Sequence, residues 1–330
     1  MARRTRIMVM AVMIVLLSWA VQAGHTGVVG EAAFNETFDV RSGGKLRLDV
    51  SDMDVVVKSG EHAGRVLVTL RGDLDKARER FEKSNFVAKL DGNTVIVEAQ
   101  ERRKGMSWFW SSGGGGILVT VTVPEKFDVA VKTDDGDVDA RNIEGKIELR
   151  TSDGDVDLGE LKGPTIMVKT SDGDVVAESL EGGDIEIRSS DGDIIVERLV
   201  GDDVSASTSD GNVTLKKVDA KSISVRSSDG DLSIAASGGE LWAKTSDGDI
   251  DVRIDGETAV DLSTSDGDIV IRAPTDLGAE LDLRGEHVSL GGKITLQGEV
   301  SERSIAGTLG GGGPLVRART SDGSIAFRFY

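Results

Sequence analysis

At 330 residues, with no cysteine and a net charge of −18, the chain argues against several classes of function at once. Without thiols there is no disulfide, no thiolate nucleophile and no cysteine-based zinc site. So acidic a balance opposes binding to nucleic acid, whose phosphates demand a basic face.

The first element in chain order is a secretory signal over residues 1–23. Arg3, Arg4 and Arg6 form its charged start, Ile7 to Val21 its apolar stretch, and Val21-Gln22-Ala23 a small-residue cleavage site. The apolar run is shorter than the roughly 20 residues a membrane span needs, so the expectation is cleavage after Ala23 and no transmembrane span thereafter. From Phe34 to Val123 the pattern is irregular. One coil-like unit runs from Leu46 to Val57 and carries Ser51-Asp52-Met53-Asp54, which reads as a terminal, capping coil. Asp73 to Ser84 is a short polar helix opening after Asp73 or Asp75, placed as a cap over an open strand edge. Next comes the aromatic insertion Trp108, Phe109 and Trp110, followed by Gly113 to Gly116. Clustered aromatics in a loop are candidate contacts for glycan, lipid or protein; the competing reading is a plug for the solenoid end.

From there a repeat takes over. The turn glycines Gly136, Gly154, Gly173, Gly192, Gly211, Gly230, Gly248 and Gly267 recur every 18 or 19 residues within a [ST]-[SD]-D-G-[DN] motif. Gly323 stands 56 residues after Gly267, which suggests two degenerate coils between them, through Leu281 to Leu283 and through Lys293 to Leu296. Apolar residues alternate in strand period before each turn, as in Ile166 and Val168, and after it, as in Val175 and Ala177. Each unit is therefore strand, Asp-Gly turn, strand and a looser second turn. One such hairpin cannot bury its apolar face, so the units must stack in parallel and share a core. A further apolar column at Ile143, Leu161, Leu180, Leu199 and Val218 closes the far edge and stops at Val218, which predicts a different cross-section in later coils. Trp242 falls on an outward position of a later strand and is a second candidate contact.

Three repeated columns carry polar chemistry. The hydroxyls of Thr133, Thr151, Thr170, Ser189, Thr208, Ser227, Thr245, Thr264 and Thr320 point inward and need partners, from neighbouring hydroxyls or turn amides. The glycines are expected to supply positive φ to a hairpin turn. The acids Asp137, Asp155, Asp174, Asp193, Asp231, Asp249 and Asp268 form a line, and Lys132, Arg150, Lys169, Arg188, Arg226 and Lys244, each five residues earlier, are placed to neutralise them across the turn. Where the acid becomes Asn212 the base becomes Ser207, consistent with pairing; Ser263 with Asp268, and Arg319 with Ser324, depart from it. Calcium is the alternative reading of the acids, although the G-G-x-G-x-D-x-U-x pattern of calcium-binding repeats is absent. The three histidines, His25, His62 and His287, have no nucleophile or metal-ligand partner by spacing, and carboxylate pairs occur in nearly every coil, so none is singled out for catalysis.

The early Gly43-Gly44-Lys45-Leu46-Arg47-Leu48-Asp49-Val50, Val121-Thr122-Val123-Pro124 before Phe127-Asp128-Val129, the serial Ser-Asp-Gly-Asp turns and Gly311-Gly312-Gly313-Pro314 together resemble the bacterial "putative adhesin" domain family of unknown function, related to the auto-transporter adhesin head type. The resemblance spans nearly all of the chain after the signal. It implies a β-solenoid exported to the envelope, with adhesion suggested by the family name and no catalytic residue to carry over.

The sequence thus predicts an all-β chain, a parallel β-solenoid (β-helix-like) of stacked coils with a period of about 19 residues and an irregular N-terminal cap region. Its organisation is 1–23 signal peptide, 24–130 N-terminal coil and cap region with the short helix, and 131–330 repeat solenoid continuous with it. The expected function is a non-enzymatic exported scaffold or adhesin-like binding protein of the bacterial envelope, in the periplasm or at the cell surface. Its partner is an envelope protein or glycan, and no cofactor, metal or catalytic residue is assigned. The alternatives are a polysaccharide-acting β-helix enzyme and a calcium-stabilised binding module.

Overall fold

A computed structural model describes residues 30–60, 64–99, 115–292 and 295–330. The expected signal at 1–23, the aromatic insertion Trp108 to Trp110, His25 and His62 lie outside the described residues. The described chain is nearly all strand, mostly parallel, with one helix.

Inward alternation builds the core. After each turn a coil buries residues such as Val156, Leu158 and Leu161, bends at a glycine corner, and buries Ile166 and Val168 before the next turn. The two arms flanking a turn do not pair with each other as a hairpin would. Each instead pairs in parallel with the equivalent arm of the next coil: Val156 with Val175, then Ile194, Val213, Leu232, Ile250 and Ile269. The other side runs likewise from Ile147 through Ile166, Ile185, Val204, Ile223 and Leu241 to Val260. The result is a solenoid-like stack with one continuous apolar interior. Every buried side-chain nitrogen and oxygen among the described residues has a partner.

The cross-section changes where the corner column stops. From Val156–Lys169 to Val213–Arg226 each coil contributes one bent strand of 14 residues, with Leu161, Leu180, Leu199 and Val218 in the corner. Beyond it the coil divides into Leu232–Ala236 and Glu240–Lys244. Gly238 and Gly239, at φ of +94° and +67°, make the break, and the small Ala236 takes Val218's place.

At both ends the stacking order departs from the chain order. The strand Gly44–Val50 lies between Phe127–Lys132 and Thr94–Ala99, so the coil-like unit at 46–57 is second from the end of the parallel stack and the later strands Thr94–Ala99 and Gly115–Val123 are outermost. The C-terminal end repeats this arrangement. The strands Leu315–Arg319 and Ser324–Phe329 insert between the coil at 259–273 and the strands Ala279–Arg284 and His287–Leu290. The turn of Gly323 therefore sits directly on that of Gly267, with no coil between them. This corrects the expectation of two intervening coils: the segment through Leu281 to Leu283 forms the outermost coil, and Leu296–Val300 is an antiparallel strand against Ser304–Leu309. The reason lies in the turn. A Thr-Ser-Asp-Gly-Asp turn stacks on its own kind, and the coil at 279–290 has only Gly285-Glu286 between its arms, so it can follow the series but not interrupt it.

Antiparallel strands then end the parallel template at each end, which protects its exposed edges. Arg65–Gly72 pairs with Gly115–Val123, and Ser304–Leu309 with Ala279–Arg284. The helix spans Leu74–Lys83, with the Asp73 carboxylate accepting from the Lys76 amide as N-cap. It packs by the buried Ala77 and by Phe81, whose ring lies 5.4 Å from Phe86, itself 5.1 Å from Phe34.

Candidate functional site

The turn edge holds the most repeated residues: the hydroxyl column takes the turn amides, one of its two expected kinds of partner, and the glycines and aspartates depart from the sequence expectation. The threonine column bonds to backbone. Thr151 Oγ1 donates to the carbonyls of Asp134 and Gly136 on the preceding turn and accepts from the amide of Gly154 in its own, and Thr170 and Ser189 repeat the pattern. Each hydroxyl thus rivets one turn to the next, with no hydroxyl-to-hydroxyl ladder.

The turn glycines do not have positive φ, unlike Gly238 or Gly310. They are required by close approach: a Cβ on Gly154 would collide with the carbonyl of Gly136, one on Gly173 with that of Gly154, and so on to Gly323 against Gly267. Met53 opens this series among the described residues, its carbonyl accepting from Thr133 Oγ1 at 3.1 Å.

The aspartates after the glycines do not pair with the bases across the turn. Each carboxylate points along the stack and accepts the backbone N–H of the next one: Asp155 from Asp174 at 2.9 Å, Asp174 from Asp193 at 2.8 Å, Asp249 from Asp268 at 2.7 Å. Asn212 keeps the ladder because its amide oxygen accepts as well, from Asp231 at 2.9 Å. Ser324 closes it, donating its N–H to Asp268 with no regular turn beyond. The bases go elsewhere. Arg150 pairs with Glu148 and Arg188 with Glu186 on their own strands, Lys132 reaches Asp49 and Arg319 reaches Asp282. Arg226 lies over the ring of Trp242, 4.2 Å from its centroid. Lys169 and Lys244 make no ion pair among the described residues.

A second acidic file, Asp153, Asp172, Asp191, Asp210, Asp229, Asp247, Asp266 and Asp322, is exposed along the same edge. The two ends of the stack differ in charge environment. At the N-terminal end burial pushes the Asp54 carboxyl up, and burial together with the neighbouring Asp52 and Asp134 does the same for Asp135. At the C-terminal end burial acts upward on Asp282 too, but Arg284, Arg319 and Arg317 around it hold the carboxyl below the usual range. His287 stands 3.2 Å from Glu302. Along the opposite corner two shallow depressions of about 690 and 660 Å³ meet at Val200, Gly201 and Asp202, with rims neutralised by Lys162–Glu181 and Lys221–Asp202 pairs.

Trp242 is on an outward position, half-buried, in register with Ser224 and Asp261. No group of three or more histidine, aspartate or glutamate side chains among the described residues is arranged to hold a metal ion.

This serially riveted architecture has a family. Residues 44–237 and 165–328 match the model of Toastrack DUF4097. The chain belongs to the Toastrack family. No curated protein matches it significantly. Among solved structures, the Toastrack chain is similar to a "putative adhesin" of Parabacteroides merdae, at 11% identity and a TM-score of 0.47 over 92% of this chain and 97% of that one. A second "putative adhesin", of Parabacteroides distasonis, has 14% identity and a TM-score of 0.48 over 73% and 96%. A "putative lipid binding protein" of the same species has 12% identity and a TM-score of 0.39 over 89% and 96%. No functional description transfers on likeness of this degree. No helix among the described residues of this Toastrack chain is long and apolar enough to cross a membrane.

Proposed function

We propose that this Toastrack chain is a non-enzymatic, exported scaffold of the bacterial envelope, an adhesin-like protein that binds an envelope protein or glycan through the outward faces of its stack. The observation that carries this reading is where the repeat's polar chemistry is used. The threonine hydroxyls and one file of aspartates are engaged by backbone groups of adjacent turns, so the residues a catalyst would draw on are structural. What remains for function is a long, regular, charged surface, and such surfaces are the usual binding elements of solenoids.

Crosslinking in intact cells, with the captured partner identified and compared with a variant lacking Trp108 to Trp110, tests the reading. A specific macromolecular partner is expected; recovery of none would overturn it. Two further measurements separate the alternatives. Uronic-acid polymers incubated with the purified protein are expected to stay intact, and cleavage abolished by replacing particular acids would establish an enzyme. Chelator is expected to leave the melting temperature unchanged, and a drop would establish a calcium-stabilised module.

A further inference from the structure

We infer that the outward face around Trp242 is a recognition patch for acidic saccharides; the inference rests on the binding-scaffold reading and names a surface and ligand class for it. The strands that precede the turns present two outward files side by side. The central file reads Glu148, Met167, Glu186, Ser205, Ser224, Trp242 and Asp261, and the file nearer the turns reads Arg150, Lys169, Arg188, Ser207, Arg226, Lys244 and Ser263.

In the coils of Arg150 and Arg188 the base is neutralised on its own strand by a glutamate two residues earlier, at 2.7 and 2.5 Å. The next coils lose that acid. Ser224 and Trp242 occupy the positions of Glu148 and Glu186, so neither Arg226 nor Lys244 makes an ion pair among the described residues. Arg226 and Lys244 are direct neighbours in register, so two bases without an ion pair lie side by side on this face.

Shape accompanies charge. Ser205, Ser207 and Ser224 replace long side chains on two successive rungs, leaving a low hydroxyl-lined platform between the Arg188–Glu186 pair and the Trp242 indole. Arg226 lies against that indole, which holds its guanidinium beside the platform. Serine hydroxyls on one outward face, an aromatic ring beside them and two cations match a sugar ring bearing a carboxylate. An extended peptide fits less well, because the strands here are paired on both sides and have no free backbone edge to offer it.

The test is calorimetric titration of the purified protein with oligogalacturonate as acidic probe, and with maltohexaose and poly-glutamate as neutral-sugar and acidic-peptide probes. Saturable binding of oligogalacturonate alone is expected, weakening with salt. It is expected to fall at least tenfold in Trp242→Ala and in the double variant Arg226→Gln, Lys244→Gln, and to persist in the turn-edge variant Asp172→Asn, Asp191→Asn. The double variant changes only exposed side chains, so it decides the matter even if Trp242→Ala misfolds. Failure to bind oligogalacturonate, equal binding of poly-glutamate or maltohexaose, or unchanged affinity in the double variant would each overturn the inference. If it fails while crosslinking still yields a specific partner, the patch assignment falls and the scaffold reading stands.

Discussion

At the residue scale, the glycines show how a correct pattern can carry a mistaken cause. Asp-Gly is a favoured turn pair, and positive φ is what it usually signals, yet here glycine is needed because the next turn's backbone rests where a Cβ would be. Gly192→Ala is accordingly expected to destabilise the protein by about 1–3 kcal/mol, the range of overpacking in a close-packed interior. Gly201→Ala is the control. A Cβ there would meet Val204 Cγ2 at 3.1 Å and the Gly182 carbonyl at 3.3 Å, the flanking side chain can give way, and the next rung already carries Ala220. Equilibrium denaturation of the two variants should separate them clearly. The aspartate ladder gives a second contrast. Asp174→Asn keeps an acceptor for the Asp193 amide, as Asn212 does naturally, and should be close to neutral; Asp174→Ala removes it and should cost about 1 kcal/mol. If charge pairing across the turn were the purpose of the column, the asparagine variant would suffer as much as the alanine one.

At the scale of the element, the two ends of the stack should respond to acid in opposite directions. Asp54 and Asp135 have carboxyls raised above the ordinary 3.8, so the folded state takes up their protons more readily than the unfolded chain does. Acidification that is still above pH 3.8 therefore strengthens the turns at 51–54 and 133–137. Asp282 and Asp255 are held below 3.8, the former by its three arginines outweighing burial, the latter by Tyr330 and Arg253 outweighing burial. Their contribution is present above 3.8 and is lost as the pH falls through their lower folded values. Hydrogen exchange along an acid titration should show relative protection rising first at 44–59, then falling at 250–255 and 279–290. The helix was legible in the sequence at nearly its observed bounds because its signals are local: Asp73 caps it, and its polar composition suits an exposed cap. The order of the end coils was not legible, because it depends on which turns can rest on one another.

At the scale of the whole molecule, that order has a mechanical consequence. The coil at 279–290 is held to the stack through the strands Leu315–Arg319 and Ser324–Phe329, although it precedes them in the chain. Phe327 is fully buried in this inserted rung, and Phe327→Ala, a loss of about 3–5 kcal/mol, should release both 315–329 and 279–290 from exchange protection while 156–254 stays protected. Leu283→Ala, in the outermost coil, should loosen 279–290 and leave 315–329 the better protected of the two. If the coils were stacked in chain order, the hierarchy would be reversed.

Local periodicity in the sequence determined which side chains face the core, where the turns fall, and that the units had to share one interior, because alternation and turn chemistry are written within a few residues of each other. The sequence also singled out Trp242 as an outward aromatic, but not the loss of acids that leaves Arg226 and Lys244 unpaired beside it, which appears only when adjacent rungs are in register. The choice of turn backbone over neighbouring hydroxyls by the threonine column, the aspartate ladder and the inversion of the end coils belonged to the tertiary structure alone. All three depend on contacts between turns some 18 to 83 residues apart, where the deciding partner is a backbone amide or carbonyl that every residue type possesses and no sequence pattern marks.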